Sequence, residues 1–521
     1  VEAEAVEVVE KAVAEARAEI TESHRPWPPP PLEPMIGERV KGEGIWEVVP
    51  EDEVTYAPNA PAPFYTTFIR PDPDLPSKRI YLSVWDPAQV SLKMRAGTTN
   101  PVPTTGNRGD GRIPRDPEKL GRVVGGFNGG FQTAHIWYGM MVDRKVLLPP
   151  REWGGTAGSW EDGRTVFATW PPGGAIPPEL THYRQNLPPL IEDGQFNPYG
   201  RNTWGWHKNV AGAVGGKTIR SALCYTKLQH AMYAYVEFTD EKLLTKTLLG
   251  AGCVYAIHLD MNRGHTGFEM YRRLAEGESV KGEDPAATVE GLRFQGRTLH
   301  PTNKHMKART RYLGVDYRDF FYLELRDVLP GADLTVGDKA LPWTVAGLSG
   351  NGDFPPRFAG AAAPESGLLS ALQVDLGAVE LASGSAPGAA YELPLSEEPA
   401  GATSSLVLPS VTVKGVAVPE SDAPVSGVVL AKGAGNAIWH LVVRDMPGSR
   451  LLAVLKSRGL QESVFRPGAV SAVSLDGKPP SMPSAAVPAA RGPILSATVI
   501  DRPSAIVRLF PDTKPKRKSG G

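Results

Sequence analysis

Asp260 closes an apolar run, Val254-Tyr255-Ala256-Ile257-His258-Leu259-Asp260, that reads as a buried strand delivering one carboxylate to the end of a sheet. A carboxylate so placed can serve as general acid, base or nucleophile. Asn128 is followed by Gly129 and Gly130. Its amide can both donate and accept, and two glycines let backbone N–H groups come close to an anion. Arg220 carries the planar fork that grips phosphate with two parallel hydrogen bonds. Each residue also has a plainer reading: a tight turn for the glycines, a surface position for Arg220, a turn cap for Asp260. Glycosidic chemistry ordinarily needs a second carboxylate. Glu237, Asp143 and Glu192 are the candidates. His135, His258 and His265 can move protons, but their spacing is not that of a metal site, and no metal or other cofactor is expected.

Four ordered segments carry a family resemblance. They are Val123-Val124-Gly125-Gly126-Phe127-Asn128-Gly129-Gly130-Phe131; Tyr138-Gly139-Met140-Met141-Val142 with the following hairpin to Val166; Pro189-Leu190-Ile191-Glu192-Asp193-Gly194 with Arg220-Ser221; and Gly252 through Asn262. Together they span about residues 37–330, which resemble the phosphodiester glycosidases. The resemblance implies hydrolysis of a sugar-1-phosphodiester in a secreted, periplasmic or cell-surface setting, at a site built from Asp260, Asn128 and Arg220. Gly129, Gly130, Asn262, Arg263 and His265 are then the substrate-binding positions. One branch of the family follows the aspartate with a run of glycines and a serine. Here Met261-Asn262-Arg263-Gly264-His265 stands instead, which looks like a bacterial variant. The bulkier side chains open a second reading, an inactive carbohydrate-binding or assembly protein that keeps the fold. If the backbone stays extended past Asp260, Asn262 shares its side and Met261 points away.

The elements that must position these residues are mostly strands. The 521 residues include 56 glycines and 50 prolines, which favour turns and short strands over long helices. The expected class is α+β and β-rich, a mixed central sheet with a few helices and a second β-rich C-terminal domain. Residues 231–238 read as a strand, 240–249 as a short helix with Leu243, Leu244, Thr247 and Leu248 on one stripe, and 254–260 as the next strand. Residues 438–459 repeat that strand–helix–glycine rhythm, for which chance is the plainer account.

Four regions follow from composition. Residues 1–36 form a helical arm with a Val6, Val9, Val13, Ala16, Ile20 seam and a proline-rich linker; 37–330 form the glycosidase-like domain; 331–513 form the C-terminal β-rich domain; and 514–521 form a basic, disordered tail. The arm or the C-terminal domain could serve self-association. The formal net charge of −1 offers nothing to nucleic acid. No apolar run reaches the roughly 20 residues of a membrane span. A start at Val1 fits removal of a leader, and equally a shortened chain. Arg108-Gly109-Asp110 is the adhesion tripeptide, too short to carry weight, and the surrounding loop lacks the closing glutamate of an EF-hand. Cys224 and Cys253 read as two buried thiols, or as one bridge in an oxidising compartment.

Overall fold

A computed structural model describes residues 27–56, 62–135, 137–201, 217–280, 286–298, 310–326, 333–336, 339–344, 346–348, 367–376, 379–384, 391–433, 437–457, 459–460, 462–468, 474–475, 493–499 and 506–511. The helical part of the N-terminal arm and the basic tail expected from sequence lie outside the described residues. The chain divides into two compact units. One holds residues 26–56, 62–326 and 504–521; the other holds 1–25, 57–61 and 327–503. Both are β-rich, and no described helix is long and apolar enough to cross a membrane.

The first unit is built on an eight-stranded sheet and two six-stranded sheets. In the largest sheet Thr218–Thr226 is the central strand, pairing antiparallel with Ala231–Thr239 on one side and Cys253–His258 on the other. The strand–helix–strand unit is therefore present, with a third strand between its two ends. Its helix, Glu241–Gly250, starts at Asp240, whose carboxylate accepts from the Leu243 N–H at 2.9 Å. Leu244 and Leu248 bury against Val84, Cys224 and Ala256 in one apolar cluster. The chain then turns at Gly252, which has a φ of +82°.

A six-stranded sheet carries the second contributor to the site. Val123–Asn128 runs between Phe268–Leu274 and Phe320–Leu325, antiparallel to both. Phe127 and Phe268 from this sheet meet Trp85 and Tyr233 from the eight-stranded one, with ring centroids 5.0–6.3 Å apart. Edge-to-face and tilted aromatic packing of this kind joins the two sheets and holds their ends in register.

Two features depart from the sequence reading. Cys224 and Cys253 form a disulfide between neighbouring strands, so the reading as two buried thiols gives way to the bridge. Secondly, the strand Ile506–Leu509, expected with residues 331–513, pairs parallel with Thr165–Thr169 in the first unit. Arg508 makes an ion pair with buried Glu192 and lies 4.2 Å over the Tyr255 ring. Glu192 also accepts from Thr169 Oγ1 at 2.7 Å, and is thereby committed to holding this strand.

The second unit contains five-stranded and four-stranded sheets around a core that includes Val374, Leu393, Val428, Leu430 and Leu495. Ala437–Pro447 leads into the helix Gly448–Ser457, whose Leu451, Val454 and Leu455 are buried, and Gly459 follows at a φ of +67°. The strand–helix–glycine order of the first unit thus occurs in both.

The disulfide closes a loop between residues 29 apart. Loop-closure entropy then gives it about 3.6 kcal/mol of stability. A Cys224→Ala/Cys253→Ala double variant should lose roughly that much in denaturant unfolding followed by first-unit tryptophan fluorescence. Dithiothreitol should lower the wild-type midpoint and leave the variant unchanged.

Candidate functional site

Where the strands of these two sheets end, Asn128, Ser221 and Asp260 come together. The backbone carbonyl of Asp260 accepts three hydrogen bonds: from Asn128 Nδ2 at 3.1 Å, Ser221 Oγ at 3.0 Å and Thr266 Oγ1 at 2.9 Å. Asn128 Nδ2 also donates to Ser221 Oγ at 3.0 Å. On its other side Asn128 Oδ1 accepts from Tyr233 OH at 2.8 Å and from the Gly267 N–H at 3.1 Å. Every polar atom of this buried amide is engaged within the protein. Asn128 therefore ties the strands together and does not present its amide to a ligand.

The same holds for the glycines. The Gly130 N–H donates to Asp319 Oδ2 at 2.8 Å, and Arg184 Nε donates to the same oxygen at 2.8 Å. The anion in this backbone nest is the protein's own carboxylate. A Cβ on Gly129 would lie 2.1 Å from Asp319 Oδ2, and one on Gly130 would lie 2.6 Å from Arg184 Cζ. Both positions require glycine because a buried ion pair packs directly on their backbone.

Asp260 is 5% exposed. Its Oδ2 lies 2.8 Å from Arg318 Nη2, and its Oδ1 accepts from the Asn262 N–H at 3.2 Å. Burial pushes its carboxyl up to about 6; the Arg318 guanidinium pulls it down, and the neighbouring Asp319 carboxylate pushes it further up. Arg318 and Asp319 thus bring a cation and a second carboxylate to Asp260 from the start of one strand. Asp143 and Glu192 do not take that place. Asp143 pairs with Arg95 and with His182 Nε2 at 3.0 Å, Glu192 is held by Arg508, and Glu237 is half-buried on the 231–239 strand.

Arg220 is buried on a different side from its neighbour Ser221, since the two alternate along one strand. Its Nη1 lies 3.3 Å from His258 Nε2 and 3.4 Å from Met261 Sδ, and its Nε donates to the Thr239 carbonyl at 3.1 Å. Burial lowers its pKa to about 9. It reaches the site through Met261, which packs with Phe131 and Leu187. Asn128 and Asp260 are brought together directly; Arg220 is not.

The chain after Asp260 turns sharply instead of running on extended. Asn262 Oδ1 accepts from the Gly264 N–H at 3.1 Å, and its carbonyl accepts from the N–H groups of His265 and Thr266 at 2.9 Å each. Asn262 and Arg263 are exposed at this rim. His265 Nδ1 faces Arg311 Nη2 and its Nε2 faces Tyr317 OH, both at 2.5 Å. A guanidinium can only donate, so Nδ1 accepts and the ring is neutral. Burial, with Arg311 and Arg318 nearby, lowers its pKa to about 4. His265 therefore brings no positive charge for a phosphate near neutral pH. His135 is exposed, and among the described residues no three His, Cys, Asp or Glu side chains converge as a metal site.

Arg318, Asp319, Arg184 and Thr266 did not stand out in the sequence. The usable signal was a charged pair, Arg318-Asp319, directly before the apolar run Phe320-Phe321-Tyr322-Leu323.

No family model matches the chain, and no curated protein matches it. Among solved structures, the catalytic domain of zebrafish N-acetylglucosamine-1-phosphodiester alpha-N-acetylglucosaminidase, auto-inhibited by its pro-peptide, is similar at 12% identity. The match covers 53% of this chain and 88% of that one, with a TM-score of 0.31. A hypothetical protein from Synechocystis is similar at 11% identity over 50% of this chain and 62% of that one, with a TM-score of 0.28. These likenesses are distant, and the reading of the site rests on its own geometry.

Asn128→Asp keeps the shape of the side chain but turns the donor facing the Asp260 carbonyl into an acceptor. The variant should lose about 2 kcal/mol or more of unfolding free energy, measured by denaturant titration. Stability equal to wild type would show that the Asn128 link does not hold the two sheets.

Proposed function

We propose that the first unit is a hydrolase of glycosyl phosphodiesters, with Asp260 as the proton-transfer group. The observation that carries this reading is the Asp260 carboxyl, raised to about 6 beside Arg318 and Asp319. A carboxyl in this range holds a proton in mildly acidic solution and can give it to a leaving oxygen. The Arg318 guanidinium, 2.8 Å away and itself buried, would reach a phosphate oxygen on releasing the Asp260 carboxylate. Asn262 and Arg263, on the exposed turn beside it, are the groups available to a sugar or a second phosphate oxygen. The ordered sequence motifs of residues 37–330 support the same substrate class. In this reading Asn128, Gly129, Gly130 and Arg220 are positioning residues. The Cys224–Cys253 bridge supports a secreted or periplasmic setting, because such bonds persist in oxidising compartments.

A second reading has a specific observation in its favour. Asp260 is almost fully buried, and both of its oxygens are engaged by Asn262 and Arg318. An ion pair with that burial also suits an inactive scaffold that keeps the fold and binds carbohydrate without cleaving it.

A hydrolysis screen over sugar-1-phosphodiesters separates the two. With Asp260 as the acid, Asp260→Asn should lower kcat by about 100-fold or more. The proton is present below the raised pKa, so kcat/KM should fall as pH rises through about 6. No turnover on any sugar-1-phosphodiester from pH 4 to 8, in protein with an intact disulfide, would establish the scaffold reading.

A further inference from the structure

A second group of side chains in the first unit is organised for binding and takes no part in the Asp260 site. Arg201 lies 4.5 Å over the ring of Trp153, and that ring meets Tyr199 at a centroid distance of 5.2 Å. Arg151 lies 5.8 Å over the ring of Tyr138 and donates from Nη1 to the Trp137 carbonyl at 3.1 Å. Arg151 and Trp153 lie two residues apart on one turn, where the Gly154 N–H donates to the Arg151 carbonyl at 3.2 Å, and Arg201 sits on the Trp153 ring, so the two guanidinium groups belong to one patch. Both arginines are exposed, and among the described residues neither has a carboxylate within ion-pair distance. Trp137 beside them is 48% exposed.

The patch is held in place. The Trp153 N–H donates to the Trp170 carbonyl at 2.6 Å, with Trp153 at a φ of +65°, a conformation that bulky residues adopt only under constraint. The turn bearing Arg201 is closed from both sides by Asn197, whose Oδ1 accepts from the Arg201 N–H at 3.2 Å while its Nδ2 donates to the Arg201 carbonyl at 2.8 Å. Cation–π contact lays Arg201 on its ring with its N–H edge outward, while Arg151 spends one N–H on the Trp137 carbonyl and keeps the others for a ligand.

We propose that Trp137, Arg151 and Arg201 form a binding subsite for an acidic polysaccharide. Two pre-oriented guanidinium groups suit carboxylate or phosphate substituents, and an exposed indole offers a flat apolar face to the C–H face of a sugar ring. A bare anion would use the arginines alone; the tryptophan beside them adds the demand for a ring. Tyr138 also packs against the cluster of Phe131, Leu187 and Met261, and Met261 directly follows Asp260. The subsite does not depend on hydrolysis at Asp260.

Isothermal titration of the full chain with tetragalacturonate tests this, with cellotetraose, inorganic phosphate and an acidic phosphopeptide as the comparison probes. Tetragalacturonate should bind, and Arg151→Ala, Arg201→Ala and Trp137→Ala should each weaken it by about fivefold or more. All three side chains are solvent-facing, so melting temperatures should stay unchanged. Asp260→Asn should bind as the wild type does, which keeps this result apart from the fate of the hydrolase reading. No binding of tetragalacturonate, or binding unaffected by Trp137→Ala and matched by inorganic phosphate, would overturn the proposal. Tighter binding of the phosphopeptide than of tetragalacturonate would overturn the choice of a polysaccharide.

Discussion

Three donors on the backbone carbonyl of Asp260 fix the rest of the site. They come from Asn128 in one sheet, Ser221 in another, and Thr266 on the turn that follows. A buried carbonyl with one partner could shift with its turn. With three, each from a different segment, the peptide after Asp260 has one position. From there the Asp260 side chain meets the Arg318 guanidinium and the Asn262 N–H, and Arg318 is set in the bend before its strand, where its N–H donates to Asp316 Oδ1 at 2.9 Å. Asp319, the next residue, faces the Gly130 N–H and Arg184. The dipeptide Arg318-Asp319 thus serves two ion pairs of opposite sense. One involves a carboxylate held above the usual range; the other fills the backbone nest.

Much of the fold could be read from residue pattern because strand and helix signals are local. The apolar run ending at Asp260 and the Leu244–Leu248 stripe became the elements expected of them. The site was legible only in part. Asn128 and Asp260 stood out because each sits beside a glycine turn or closes an apolar run. Their partners were harder to find that way: Arg184 carries no local signal of its own, and Arg318 and Asp319 show only as a charged pair before an apolar run. Chemical type also misled. An amide followed by glycines suggests a ligand nest, yet the fold fills that nest from within. Arg220 looked like a phosphate fork, but alternation along its strand turns it toward His258 and Met261. The turn at residues 261–265 defeated the extended reading because Asx-type hydrogen bonds at Asp260 and Asn262 outcompete continuation of the strand.

The parallel strand Ile506–Leu509 has a consequence for how the chain is made. All of residues 327–503 lie between the first unit's last sheet strand, Phe320–Leu325, and this final one. During synthesis the edge at Thr165–Thr169 must wait, unpaired, while roughly 180 residues of another unit emerge at about 5–20 residues per second. For that interval buried Glu192 has no Arg508 beside it, and the edge is open to pairing with a foreign strand. The vulnerable state of this protein is thus a nascent one, in which every residue around Asp260 has been made and the sheet that supports them is one strand short.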